Sequence, residues 1–107
     1  ISHSADPRIF DVYSSIQNVR DELDLSDRDV SVLYYENCLI MTTLRIKEIG
    51  EKSIRLDYYK KNIDLLEKAY PKWYEDLPKD KYSFKQRIVF WLLKKRKIKL
   101  LDKLYER

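Results

Sequence analysis

The chain of 107 residues carries 22 Lys or Arg and 18 Asp or Glu, for a net charge of +4, with one Gly, three Pro, one Cys and one His. So few turn-forming residues exclude an all-β protein with its many tight turns. One Cys excludes an internal disulfide, and one His excludes sites built on paired histidines or a Cys/His cluster.

The length fits one domain with one core. No apolar run approaches the roughly 18 residues needed to cross a bilayer, and no stretch has the pattern of a signal peptide. The charge is unevenly placed. From Lys79 onward eleven Lys or Arg face three Asp or Glu, a balance of +8, whereas the preceding residues carry eleven against fifteen, a balance of −4. An acidic body with a basic end suits contact with phosphates, anionic lipid or an acidic protein face.

Residues 1–5 are polar and aperiodic. Asp6 before Pro7 predicts a helix start, an acidic N-cap followed by proline at the first helical position. Ile9, Val12, Tyr13, Ile16, Val19 and Leu23 recur at three- and four-residue steps and predict one buried stripe. Ser26 with Asp29 signals the start of a second helix. There Val30, Leu33, Tyr34, Asn37, Ile40, Met41 and Leu44 form one stripe, with Val32, Tyr35, Leu39 and Ile46 on the other side. No charge falls between Glu36 and Arg45. A helix apolar around most of its circumference belongs in the middle of a bundle, so Val30 to Ile49 is expected at the centre. Gly50 is expected to end it in the left-handed conformation.

Ser53 is expected to cap a third helix, in which Leu56, Tyr59, Ile63, Leu66 and Tyr70 align. Pro71 stops it, and Trp73 and Tyr74 fall in a loop or short turn before Pro78. Ser83 with Gln86 is a capping box that opens a last helix at Phe84. The expectation is an all-α bundle of four to five helices.

The last helix, read as continuous to Tyr105, has two parts. Ile88, Trp91 and Leu92 lie together, while Ile98, Leu101, Leu104 and Tyr105 gather about a third of a turn or more away. The first part is expected to dock into the bundle. The second shows Arg96, Lys99 and Lys103 on one side and Ile98, Leu101 and Tyr105 on the other. With Trp91 these form the candidate membrane or partner face. An anionic membrane, nucleic acid and a second copy of the chain compete for it with the plain reading of a solvated face on an ordinary bundle helix.

Other features read as structural. Cys38, within Cys-Leu-Ile-Met, is expected to be a small buried hydrophobe. Asp27-Arg28-Asp29 resembles a metal-holding Asp-x-Asp, but it opens a helix, where acids complement the dipole. His3 lies at a loose end. Most tyrosines fall on helical stripes, and Tyr59 and Tyr70 are expected to pack with hydroxyls at the rim. Trp73-Tyr74 is kept as a candidate contact.

The two ends carry a resemblance. Ile1-Ser-His-Ser with Arg8-Ile9-Phe10-Asp11 resembles the segment that leaves the catalytic domain of bacterial family 2, GT-A type glycosyltransferases, which build capsule, exopolysaccharide or wall-polymer glycans. Arg87-Ile88-Val89-Phe90-Trp91-Leu92-Leu93-Lys94 and Leu100-Leu101-Asp102-Lys103-Leu104-Tyr105 resemble that family's closing helix. The resemblance implies a larger enzyme using a nucleotide sugar and a divalent metal, with this chain as its C-terminal accessory domain. A start at Ile1 rather than Met fits a piece of a longer protein. The family's strands, metal-binding Asp-x-Asp and catalytic base are absent here, so no catalytic, cofactor-binding or metal residue carries over. The expected partners are the catalytic domain, an anionic membrane at its cytoplasmic face, or a second copy. The alternatives are a small helical nucleic-acid-binding module and a dimerisation domain.

Overall fold

A computed structural model describes residues 6–105; the opening Ile1-Ser-His-Ser and His3 lie outside them. Asp6 accepts a hydrogen bond from the Arg8 backbone N–H at 3.0 Å and caps a 3-10 turn, Pro7–Phe10. The turn runs into α1, Asp11–Leu23. The expected stripe is buried only in its first half. Phe10, Tyr13 and Ile16 enter the core, while Val19 and Leu23 are exposed where the helix projects past its neighbours. Asp24 ends α1 in the left-handed region, with φ of 51°.

The second helical path is α2, Asp27–Leu33, then a π-helical stretch, Tyr34–Met41, then α3, Thr42–Lys47. The capping box of Ser26 and Asp29 is present in both directions. The π stretch was not foreseen, and it rearranges the faces. Its wider turn shifts the buried stripe by one residue. Val30 and Tyr34 lead to Cys38 and then to Leu39, Thr42, Thr43 and Ile46, while Met41 and Leu44, expected inside, are exposed. Val32 is also exposed. Asn37 and Thr42 tie the stretch to itself: Asn37 Nδ2 donates to the Leu33 carbonyl at 3.0 Å, and Thr42 Oγ1 to the Asn37 carbonyl at 2.7 Å.

Cys38 is fully buried, and burial pushes its thiol up to about 12. The native thiol is therefore a poor nucleophile on two counts, access and thiolate fraction. A disulfide exchange reagent at neutral pH should modify Cys38 only as fast as the chain opens, and should react at once in denaturant. Rapid modification of the native chain contradicts this placement.

Gly50 does not take the left-handed conformation; no described glycine has positive φ. The end of α3 is held instead by Arg55, whose Nη1 donates to the carbonyls of Ile49 at 2.8 Å and Gly50 at 3.2 Å. Nor does Ser53 cap the next helix. α4, Lys52–Ala69, starts after Glu51 with no side-chain cap. It packs against α1, the π stretch and α3, and against the last two helices of the chain. The centre of the bundle is therefore shared between α4 and the π-containing path.

Tyr70 leaves α4, and α5, Trp73–Asp76, is a single turn. Trp73 is fully buried, its ring edge-on to Tyr74. Trp73 is thus a plug rather than a contact surface, a large aromatic being worth more inside, while Tyr74 stays half-buried beside it. Tyr59 is buried so deeply that its hydroxyl has no hydrogen-bond partner among the described residues, against the rim position expected of it. A 3-10 turn, Lys79–Lys81, leads to the Ser83–Gln86 capping box and α6, Phe84–Lys94. α7, Ile98–Tyr105, completes an all-α helical bundle. Its buried residues form one core, and its Cα radius of gyration, 13.8 Å, is near the roughly 13 Å of a compact chain this size.

Candidate membrane or partner surface

The basic end does not form one helix. After Lys94 the chain makes a Schellman turn: the Arg96 N–H bonds the Leu93 carbonyl at 3.0 Å and the Lys97 N–H the Leu92 carbonyl at 2.8 Å. Arg96 occupies the left-handed position usual for glycine, with φ of 57°. A non-glycine residue there costs about 1–2 kcal/mol. The side chain offsets part of this. Its guanidinium bonds Asp64 on one nitrogen and Glu67 Oε1 at 2.9 Å on the other, both on α4. These acids hold Arg96 in its charged form more firmly than usual, chiefly through the hydrogen bond to Asp64. Lys94 adds a contact to Glu67 Oε2 at 3.3 Å.

The sequence-derived face is accordingly divided. Arg96 is withdrawn from the set it was expected to form with Lys99 and Lys103, because the turn redirects it onto α4. Lys99 and Lys103 remain exposed on α7. The apolar side of α7 is not a free strip: Leu101 is fully buried, and Ile98, Leu104 and Tyr105 pack half-buried against the core. The break lets α7 fold back on α4, so its apolar side finds a partner within the chain. Tyr105 stacks on Tyr59 with ring centroids 6.5 Å apart, and Lys47 Nζ lies over the Tyr105 ring, 5.3 Å from its centroid. Burial raises the Tyr105 phenol to about 12.

What remains outward is Leu100 on α7 and one side of α6. Its inner side, Val89, Phe90, Leu92 and Leu93, is buried, with the Tyr82 ring edge-on to Phe90. Phe90 thus belongs to the core rather than to any interface. Phe84, Ile88 and Trp91 follow at four- and three-residue steps and share the outer side with Arg87. Phe84 is 72% and Trp91 41% exposed. The sequence reading puts Trp91 on the candidate face and Ile88 in the docked part, where it is half-buried against the core, and misses Phe84, read only as the start of the helix. The available signal was that α6 is apolar on two sides, one more than a single core requires.

Fold and surface together define a class: a small all-α domain whose basic third exposes an aromatic strip. Compared with protein-family models, curated proteins and solved structures, the chain matches none. Among the described residues no helix is long and apolar enough to cross a membrane, and no group of His, Cys, Asp or Glu is arranged to hold a metal ion.

Proposed function

We propose that the chain is the accessory C-terminal domain of a glycosyltransferase that transfers sugar from a nucleotide-sugar donor in bacterial surface polysaccharide synthesis. In this reading it seats the enzyme on the anionic cytoplasmic face of a membrane. The parent activity is supported by the resemblance of the two ends, and a strand-rich domain with a metal-binding Asp-x-Asp preceding Ile1 in the gene product is its direct check. The attachment rests on one observation: Phe84 and Trp91 are exposed on one side of α6, with half-buried Ile88 between them, in the part of the chain that carries +8.

The occupant follows from charge and shape. Arg87 lies within the strip, and Lys85, Lys95 and Lys97 are exposed nearby in sequence. Aromatic side chains sit well at the headgroup level, and each Lys or Arg near an anionic surface contributes about 1 kcal/mol. Nucleic acid is less well served, since Arg96 is engaged with Asp64 and Glu67. A dimer through Ile98, Leu101 and Tyr105 is likewise disfavoured, because α4 and the core already cover that side of α7.

Flotation with vesicles tests the attachment. The chain should co-float with vesicles containing phosphatidylglycerol and stay behind with pure phosphatidylcholine, and added salt should release it. Phe84→Glu with Trp91→Glu should abolish flotation while leaving helicity unchanged. Equal flotation of the variant, or none of the parent chain, ends the membrane reading.

A further inference from the structure

A second recessed surface lies on other elements. A cleft of about 680 Å³ opens between α2, the start of the π stretch and residues 70–82. Ligand pockets commonly span about 300–1,000 Å³. Buried Tyr35 and Tyr70, half-buried Pro78 and Tyr82 and exposed Val32 line it, together with charged groups of both signs.

Two of the acids are already engaged. Asp76 Oδ2 accepts from the Tyr70 hydroxyl at 2.7 Å, and Asp27 is paired with Arg20. Arg28, Glu36 and Lys81 are exposed, and among the described residues their side chains make no hydrogen bond or ion pair. The three phenols are neutral donors and acceptors at physiological pH. Burial raises Tyr35, Tyr70 and Tyr82, with the Glu36 charge adding to the effect at Tyr82. The Tyr35 hydroxyl donates to the Trp73 carbonyl at 3.1 Å, so the buried turn α5 fixes one wall.

We propose that this cleft binds a neutral oligosaccharide. The charge pattern selects against simple ions. An anion meets Asp27, Glu36 and Asp76, and a cation meets Arg28 and Lys81. A sugar hydroxyl both donates and accepts, so one ring can bond Glu36 and Arg28 or Lys81 together without adding charge. The C–H faces of the ring are matched by exposed Val32 and half-buried Pro78 and Tyr82. The site shares no residue with the α6 strip and does not rest on membrane attachment.

The test is amide NMR of the isotopically labelled 107-residue chain, titrated separately with cellotetraose, chitotetraose and a galactan tetramer to about 10 mM, a range that captures millimolar binding. At least one glycan should shift the amides of Ser31, Val32, Glu36 and Tyr82 and leave those of α7 in place. Glu36→Ala and Lys81→Ala, both at exposed positions, should each weaken that glycan about tenfold or more, the loss expected for a hydrogen bond to a charged group. Phe84→Glu with Trp91→Glu should leave glycan binding unchanged, which separates this site from the attachment surface. No shift with any of the glycans overturns the proposal. So do shifts centred elsewhere, variants that bind as the parent does, or equal shifts with sodium phosphate or spermidine alone.

Discussion

Asp102→Ala should lower the unfolding free energy by about 3–5 kcal/mol, the usual loss when one partner of a buried ion pair is removed. Asp102 is 2% exposed, and its two oxygens take the Arg55 fork, Oδ1 from Nε at 2.8 Å and Oδ2 from Nη2 at 3.1 Å. Because Arg55 also holds the carbonyls of Ile49 and Gly50, one guanidinium joins the end of α3, the first turn of α4 and the middle of α7. Truncating Asp102 takes a bidentate carboxylate away from a largely buried guanidinium. Against a total stability of about 5–15 kcal/mol for an ordinary domain, the loss is severe. Urea unfolding measures it, as a lower midpoint at unchanged slope. Asp102→Asn keeps an acceptor and should fall between the two. Arg55→Met with Asp102→Leu should recover much of the loss, since a well-packed apolar pair removes both desolvation penalties. If Asp102→Ala shifts stability by less than about 1 kcal/mol, the value of an exposed pair, α7 is not held in this way.

The legible parts of the chain were those with a local signature. The caps at Asp6, Ser26 and Ser83 each depend on residues three or fewer apart, and all three form as read. Cys38 was placed by its apolar neighbours, and the all-α class by the scarcity of glycine and proline. What escaped depends on distant partners. Gly50 was assigned the left-handed turn by residue type, yet the carbonyls it would have relieved are held by Arg55, five residues on. Asp24 and Arg96 adopt that conformation instead. For Arg96 the acids of α4 supply a reason that no window around residue 96 contains. The break at residues 95–97 then decides the candidate surface. Had the helix run on, Ile98, Leu101 and Tyr105 would have stayed on a free strip; the turn folds them inward and leaves α6 with the exposed side. The π stretch was equally hidden. Periodicity placed Met41 and Leu44 in the core on the assumption of an unbroken α register, and one inserted step of register was enough to exchange them for Thr42 and Thr43.

That inserted step has its own support, and removing it should have the second large effect. Asn62 on α4 is almost wholly buried; its Nδ2 donates to the Cys38 carbonyl within the π stretch at 2.9 Å, and its Oδ1 accepts from the Tyr13 hydroxyl at 2.6 Å. One amide therefore joins α1, α4 and the π stretch. Asn62→Ala removes both bonds. The Tyr13 hydroxyl retains the Asn62 backbone carbonyl at 3.0 Å, so the Cys38 carbonyl is the group that loses its side-chain donor. An unsatisfied buried group costs about 1–3 kcal/mol, and the cavity and the lost Tyr13 bond bring the expected total to about 3–4 kcal/mol. Amide exchange should quicken most across Tyr34–Met41. Asn62→Asp separates the two bonds by pH. As a carboxylate it still accepts from Tyr13 but faces the Cys38 carbonyl with charge and no donor; as a neutral acid it can donate there and accept from Tyr13. Burial raises the folded-state pKa of such a group above its unfolded value. Its neutral form is then favoured in the fold, so the variant gains stability as pH falls through that raised pKa and loses it as pH rises. The parent chain, with an uncharged amide at position 62, should lack this feature. Parallel pH profiles for the two chains would mean that Asn62 does not bridge the π stretch, and uniform exchange after Asn62→Ala would place the support of that stretch elsewhere.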